Sequence, residues 1–384
     1  MRTRCALVLL LTAFVASCTS TTNSAVPSPL ATPDPSSSAA PVGATLADGS
    51  ALPNGCTGSA KTAQTVAFVA DAVTWAMDPT NGRLSCLFEA VAPGPFAWGP
   101  QGDRVLLAGM QVQGSSPEAP AWPPTGVTPA VFDWGHPLGL AIVYASGSGR
   151  PRKLFMDDGR VERLSRLPAG TYQAIAYHPS GLALGFILDE GDRQGIWLST
   201  NEGLDPQRLV FSRPDTVFSS LAFSPDGREI WWIAQHAGSI SEIHSMDLAD
   251  RTGFETVLTR GLAPTARGLL LAPAGSLMAA TQGQGCADLR AMIVDADGAR
   301  PAMPDATEPT EALGWLDAST LLVAAGGCDE GLQLLSVDAS AGGGATVLVT
   351  GVDVGAPRTV LEDAPTQVPA PKPAEEEPPP GGVG

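Results

Sequence analysis

The chain repeats one local pattern: an apolar strand, a short turn rich in Pro, Asp and Gly, and a second apolar strand. Clear copies are AIAYHPSGLALGFIL at 174–188 and SLAFSPDGREIWWIA at 220–234. Alignment on the turn gives spacings of 36, 43, 46, 48 and 44 residues between Pro100, His136, Pro179, Pro225, Pro273 and Asp317. A period of this length is typical of the four-stranded blades of a β-propeller.

A second column of turns supports the first without sharing residues with it. It consists of Asp78, Asp157, Thr200, Asp247, Asp295 and Asp338, and it follows the first column by 21 or 22 residues wherever both occur. A constant offset within a varying period indicates one repeated unit with variable connections. The Pro-rich stretch at 114–126 interrupts one unit. The pattern therefore favours seven blades, with six as the alternative.

The two ends of the repeat region predict how the ring closes. Asp78 implies an inner strand near residue 57, but the sequence there, LPNGCTG, has no strand pattern. The segment VGAPRTVLED at 354–363 follows the last full blade. We expect it to supply the missing strand, because closure removes the exposed edges of a β-sheet. The fold class is therefore all-β, a single β-propeller over residues 65–362.

The first residues indicate export. Arg2 and Arg4 precede an apolar run over residues 6–15 that is too short to span a membrane, and residues 1–17 read as a signal peptide. The tetrapeptide VASC, ending at Cys18, resembles a bacterial lipobox. A lipidated Cys18 would anchor the protein to the membrane on the extracytoplasmic side. An ordinary cleaved signal peptide with an incidental cysteine is the alternative.

The segments that flank the repeats have the composition of disordered chain. Residues 18–64 are rich in Ser, Thr, Ala and Pro and contain no aromatic residue, which predicts a tether. Residues 363–384 form a Pro-rich tail that we also expect to be disordered, with a ligand for proline-recognition domains as the alternative.

Composition and charge exclude several classes of protein. Only 16% of residues are charged, and the chain has 43 Gly and 35 Pro, which excludes a helical bundle. The 22 Lys and Arg are outnumbered by 39 Asp and Glu, so the net charge is −17. Such a surface repels phosphate backbones, and no nucleic-acid partner is expected.

One repeat carries a family resemblance. FSPDG at 223–227 is similar to the repeat of the TolB-like β-propellers, and YHPSG, LAPAG and WGPQG resemble weaker copies. The resemblance implies a scaffold that binds other envelope proteins or small ligands on one face of the ring, and we predict separately that the protein is non-enzymatic. The chain lacks the N-terminal α/β domain of TolB, so the partners of TolB itself do not carry over.

Signatures of catalysis and metal binding are absent from the sequence. It has no GxSxG or HExxH motif, and its four histidines are scattered, so no metal or cofactor is expected. We interpret His136 and His178 as turn residues, and STNEG at 199–203 and DADG at 295–298 as hairpin turns rather than an Asp box and a calcium loop. An enzyme or lectin with its site in the central channel is the alternative function.

The aromatic residues and the SPDG turn have structural interpretations. Trp residues on or beside strands are expected to pack between blades; they are Trp98, Trp134, Trp231, Trp232 and Trp315. Trp122, among prolines, is the Trp expected to be exposed. In the turn itself, Ser224 caps the backbone, Pro225 fixes φ and Gly227 adopts a positive φ.

Function is expected on the face that carries the loops 189–193, 235–239, 282–288 and 326–331. These loops are more acidic and more variable in length than the SPDG-type turns. We predict that the partner contacts Asp189, Glu190, Asp192, His236, Asp329 and Glu330. The alternative is a solvated rim with no partner. The protein is expected to be a monomer.

Four cysteines besides the anchor predict disulfide bonds outside the cytoplasm. Cys286 and Cys328 follow glycines at matching places in successive blades, 9 and 10 residues before their column Asp. We pair Cys286 with Cys328, which leaves Cys56 with Cys86. Matching positions in adjacent blades can be too far apart for a disulfide, so the Gly-rich hairpins would have to lean together.

Overall fold

The structure, a computed structural model, describes residues 43–53, 64–89, 97–99, 104–106, 112–114, 129–134, 138–236, 240–251, 253–258, 261–274, 276–327, 331–339, 344–358 and 365–371. Their regular structure is β-strand except for one 3-10 turn at Cys286–Asp288. Within these ranges, no helix is long and apolar enough to cross a membrane.

The strands form seven antiparallel sheets, which we number as blades in chain order. Blade 4 shows the shared design: four strands pair with their neighbours in sequence from the innermost to the outermost. Four complete blades follow this order, namely blade 3 (β8 Val131–Asp133, β9 Ala141–Ala145, β10 Arg152–Phe155, β11 Val161–Arg163), blade 4 (β12 Thr171–Tyr177, β13 Ala183–Asp189, β14 Gln194–Thr200, β15 Gln207–Phe211), blade 5 (β16 Thr216–Phe223, β17 Glu229–His236, β18 Ser241–Asp247, β19 Glu255–Leu258) and blade 6 (β20 Arg267–Leu271, β21 Met278–Gln282, β22 Arg290–Asp295, β23 Gly298–Pro301).

Two of the remaining blades include strands from both ends of the chain, namely blade 1 (β2 Val66–Ala70, β3 Val73–Met77, β4 Leu84–Glu89, with β28 Val354–Pro357 innermost) and blade 7 (β24 Thr310–Trp315, β25 Thr320–Ala325, β26 Leu332–Asp338, β27 Ala345–Val352, with β1 Thr45–Leu46 outermost). Blade 2 consists of consecutive strands, β5 Ala97–Trp98, β6 Arg104–Leu106 and β7 Val112–Gly114.

The predicted propeller is confirmed. The innermost strands contact one another in chain order, β8 with β12, β12 with β16, β16 with β20, β20 with β24, and β24 with β28, which in turn contacts β5. Six blades have four or more strands. Blade 2 shows three, and the stretch at 115–128 that would hold its fourth lies outside the described residues.

Ring closure follows the predicted route. β28 pairs with β2 in the register Val66 with Pro357 and Val69 with Val354. The backbone N–H of Arg358 donates to the carbonyl of Thr65 at 2.8 Å and extends this ladder. The C-terminal segment therefore supplies the inner strand of blade 1.

Apolar layers between adjacent blades form the core. Both faces of a blade are buried, because alternate residues of each strand point toward opposite neighbours. In β17, Ile230, Trp232 and Ala234 pack with residues of blade 4, whereas Ile233 packs with residues of blade 6. Equivalent clusters join blades 3 and 4, 6 and 7, and 7 and 1. This arrangement explains the nearly continuous apolar runs of the middle strands.

The flanking segments depart from the predicted disorder at two places. Residues 43–53 fall within the predicted tether, yet β1 pairs with β27, Ala44 is buried, and the Thr45 and Thr350 hydroxyls are 2.8 Å apart. Residues 365–371 fall within the predicted tail, yet Val368 packs against the core cluster of blades 4 and 5. The ordered domain is therefore wider than residues 65–362.

Candidate functional site

The antiparallel order gives the propeller two chemically different faces. Turns between first and second strands and between third and fourth strands open on one face, where both sequence columns lie. The turns between second and third strands, and the crossings between blades, open on the other. We call the latter the crossing face. The loops at 189–193 and 282–288 are on it, as are the described residues of the other two predicted loops.

The three acids of the blade 4 loop differ in their surroundings. Asp192 is exposed, and Asp189 accepts a hydrogen bond from the Gly191 N–H at 2.9 Å. Glu190 turns toward the sheet, where its carboxylate accepts from Trp197 Nε1 at 2.9 Å and lies 3.6 Å from Arg208. The charge of Glu190 is therefore partly compensated within the blade, Asp189 is half-buried, and Asp192 is the exposed acid of this loop. Asp329 and Glu330 lie outside the described residues.

Cationic side chains also reach this part of the face. The guanidinium groups of Arg193 and Arg208 are each 3.6 Å from the ring centroid of Phe211. Such contacts hold cations against an aromatic ring. The acidity predicted for the loop is thus moderated by Arg193, which belongs to the predicted loop, and by Arg208, which the prediction did not include.

An open depression of about 500 Å³ lies on the crossing face where the inner strands β12, β16 and β20 begin. Uncharged polar side chains dominate its polar lining, which comprises Gln173, Ser219, Gln235, Thr265 and Gln284. Arg267 is the one charged residue among the described residues that line it. This surface offers amide and hydroxyl groups for hydrogen bonding.

Two of the histidines come together beside this face, which the sequence analysis did not foresee. His236 Nε2 lies 3.0 Å from Glu242 Oε2, and His244 Nε2 lies 3.3 Å from the same oxygen. The register places His244 opposite Trp232 and Glu242 opposite Ala234, so all three side chains share one face of the β17–β18 hairpin. The sequence signal that could have revealed this cluster is the spacing H-x5-E-x-H across a predicted hairpin.

His178 has the structural role that its position in the turn column predicted. It is fully buried, its Nε2 lies 2.8 Å from the carbonyl of Gly227, and the Ser180 hydroxyl lies 2.7 Å from its Nδ1. Burial lowers the pKa of His178 below its ordinary value of 6.5. The imidazole thus links the two turns that connect the first and second strands of blade 4 and of blade 5, which we call the inner turns. His136 lies outside the described residues.

The other turn interpretations hold where the structure describes them. The Ser224 hydroxyl accepts from the Glu229 N–H at 2.9 Å, and Gly227 has φ of +69°. Asp295 accepts from the Asp297 N–H at 2.9 Å and lies 3.5 Å from Arg300, which makes DADG a hairpin turn.

The STNEG segment is likewise a turn. The Thr200 hydroxyl accepts from the Leu204 N–H at 3.0 Å, and the Asn201 amide donates to the carbonyl of Gly181 at 2.6 Å. These bonds close the hairpin between β14 and β15 and join it to the inner turn of the same blade.

Most of the aromatic interpretations are also confirmed. Trp98, Trp134, Trp232 and Trp315 are buried. Trp231 is half-buried and lines a groove of about 440 Å³ between blades 5 and 6, on the face opposite the crossing face. Trp122 lies outside the described residues.

The cysteine pairing stays a prediction. Cys86, in β4, and Cys286, at the start of the 3-10 turn, are each disulfide-bonded. Cys56 and Cys328, their predicted partners, lie outside the described residues, as does Cys18.

Comparisons with known proteins bear on the fold alone. No family model and no curated protein matches the chain. Solved structures do match. A candidate 6-phosphogluconolactonase from Bacteroides uniformis has 14% identity over 77% of this chain and 100% of its own, with a TM-score of 0.50.

TolB proteins are among the matched structures. TolB from Acinetobacter baumannii has 13% identity over 79% of this chain and 67% of its own, with a TM-score of 0.45. A candidate TolB from Agrobacterium tumefaciens has 13% identity over 76% and 92%, with a TM-score of 0.43. At these identities no activity or partner transfers to this chain.

Proposed function

We propose that this protein is a non-enzymatic binding scaffold of the bacterial envelope, anchored to the membrane outside the cytoplasm through lipid on Cys18. Its partner, an envelope protein, docks on the crossing face of the propeller. The observation that carries the proposal is the open depression on that face, whose described polar lining is uncharged except for Arg267. Hydrolysis by general acid–base catalysis needs a carboxylate or imidazole within reach of the substrate. The described lining of the depression contains neither.

The rim beside the depression gives the partner its charge preference. Asp192 is the exposed acid of the blade 4 loop, Asp189 is half-buried beside it, and the whole chain carries a net charge of −17. Rim charges mainly raise the association rate and its dependence on salt. We therefore expect a partner segment with exposed Lys or Arg, and its binding should weaken as salt increases.

The main test blocks the depression. Val217 is 51% exposed and lines it, so Val217→Arg places a long charged side chain there at little cost in stability. Val161→Arg is the matched control, because Val161 is 39% exposed on the outer strand of blade 3. Crosslinking in whole envelopes followed by affinity capture should lose the partner band with Val217→Arg and keep it with Val161→Arg. Equal capture by both variants would exclude this depression.

A second pair of variants tests the rim. Asp189→Asn with Asp192→Asn should reduce capture and flatten its salt dependence. Asp205→Asn with Asp297→Asn removes the same charge from exposed turns of the opposite face and should change neither. If the two pairs behave alike, the rim acids do not contribute.

Anchoring is tested separately. Cys18→Ala should move the protein from the membrane fraction to the soluble fraction, because lipid on this residue is the only anchor proposed. A Cys18→Ala protein that still sediments with membranes would contradict lipid anchoring without bearing on the docking face.

A further inference from the structure

The cluster of His236, Glu242 and His244 goes beyond a scaffold role. All three ligand atoms lie within 4.8 Å of one another. Two imidazole nitrogens and one carboxylate oxygen form the ligand set of many open zinc sites, which hold the ion with three protein groups and leave a fourth position to water. We propose that these three residues bind a divalent transition-metal ion of the Zn²⁺ class.

The distances suit such an ion. In a tetrahedral site with bonds of about 2.0 to 2.2 Å, neighbouring ligand atoms are roughly 3.3 to 3.6 Å apart. The separations of Glu242 Oε2 from the two histidine nitrogens are 3.0 and 3.3 Å. A small rotation of the partly exposed His236 would adjust the third separation.

Hydrogen bonding around His236 leaves its Nε2 facing the carboxylate. The Thr216 hydroxyl donates to Asp215 Oδ1 at 3.3 Å, and its oxygen lies 3.0 Å from His236 Nδ1. When Nδ1 carries the hydrogen, it donates to the Thr216 oxygen and leaves the lone pair of Nε2 for a metal ion. Nε2 lies 3.0 Å from Glu242 Oε2, so an ion between them would be bound by both. A hydrogen bond on the far ring nitrogen is the usual way in which a protein orients a histidine ligand.

Packing fixes the second imidazole. The side chain of His244 is 7% exposed; it stacks on Trp232 with centroids 5.5 Å apart and meets Phe254 edge-on at 5.1 Å. These aromatic rings restrict the rotation of the imidazole. Its Nε2 is consequently held toward Glu242 before any ion arrives.

The site is open to solvent and separate from the depression. The side chains of His236 and Glu242 are 24% and 27% exposed, so an ion can enter and a fourth ligand can reach it. Gln235, which lines the depression, points to the opposite face of β17 and donates to the carbonyl of Ala266. The metal proposal is therefore independent of the docking proposal.

Zinc titration of the mature lipoprotein in detergent, after treatment with a chelator, tests the inference. We expect one equivalent of Zn²⁺ to bind, measured by competition with a chromophoric chelator. His236→Gln and Glu242→Gln should each weaken binding by about tenfold or more. Glu162→Gln, which alters an exposed glutamate on β11, should leave it unchanged. Thr216→Val removes the hydroxyl that contacts Nδ1 and Asp215 but leaves all three proposed ligands in place, and it should weaken binding by roughly 10- to 100-fold.

Cobalt gives a readout that does not depend on stability. Co²⁺ bound by two histidines and a carboxylate in a four-coordinate site should show visible absorption bands, and these should be lost in Glu242→Gln. Equal zinc affinity of the wild type and Glu242→Gln, or no cobalt bands in the wild type, would overturn the proposal. The cluster would then be a histidine–glutamate ion pair only.

Discussion

The contact between Gly227 and His178 allows a paired test of how adjacent blades are joined. A Cβ on Gly227 would lie 2.5 Å from His178 Cε1 and 2.6 Å from its Nε2. Gly82 has the same φ of +69°, but a Cβ there would have nothing within 4 Å. Gly82→Ala therefore measures the backbone cost alone, and Gly227→Ala adds the displacement of the buried imidazole and a smaller adjustment of Pro365, whose Cγ would lie 2.9 Å from the Cβ.

The two costs can be estimated. An alanine in the left-handed region costs roughly 1 to 2 kcal/mol, and both variants share this penalty. In Gly227→Ala the imidazole must also move away from the Gly227 carbonyl, and loss of a buried hydrogen bond costs about 1 to 3 kcal/mol. We expect Gly82→Ala to lose about 1 to 2 kcal/mol of unfolding free energy and Gly227→Ala about 2 to 5 kcal/mol.

Thermal unfolding followed by circular dichroism provides the measurement. For a domain of this size, 1 kcal/mol corresponds to roughly 2 °C, so the two variants should differ in Tm by about 2 to 6 °C. Hydrogen exchange at the inner turns of blades 4 and 5 should increase only in Gly227→Ala. Equal Tm values for the two variants would show that the His178 contact contributes nothing to stability.

Three further predictions concern acid stability, closure and oxidation. Burial lowers the pKa of His178 in the folded protein, so as pH falls the unfolded chain takes up the proton first. The contribution of His178 to stability is therefore fully present above pH 6.5 and is lost as pH falls from there through the folded-state pKa. His178→Asn should make Tm depend less steeply on pH in this range. A chain ending at Asp353 lacks β28, whereas one ending at Arg358 keeps it. The shorter chain should melt lower by roughly 5 °C or more, and matching Tm values would disprove closure by β28. Non-reducing mass spectrometry should find a peptide that joins Cys286 to Cys328, closing a loop worth roughly 4 kcal/mol, and four free thiols would refute the pairing.

The repeat architecture could be predicted because turn chemistry marks each blade twice. Pro225 and Gly227 sit in a turn that few other residues can form, and Asp295 ends a third strand by accepting backbone hydrogen bonds. Closure by β28 followed from the absence of an inner strand near residue 57. These signals are local and depend on one turn at a time.

The features that could not be predicted depend on contacts between distant segments. β1 has only two residues, and its pairing with Thr350 and Val349 leaves no periodic pattern in a Ser- and Thr-rich stretch. Val368 stands among prolines, and the surface against which it packs, the core cluster of blades 4 and 5, forms only when these blades have folded. The cluster around Glu242 depends on the register of β17 and β18, because the spacing H-x5-E-x-H brings the three side chains together only when this hairpin forms in that register.

Closure by the last strand also determines the order of events during folding. Val66 pairs with Pro357, so the first strand of blade 1 must wait for residues that are synthesised after every other blade. Pairings of such large sequence separation form slowly, because the intervening chain loses entropy when its ends meet. Until that moment β2 presents an unpaired edge, to which strands of other chains can add. A nascent or prematurely terminated chain is therefore prone to aggregate through blade 1, and the completed chain removes this edge with its own final strand.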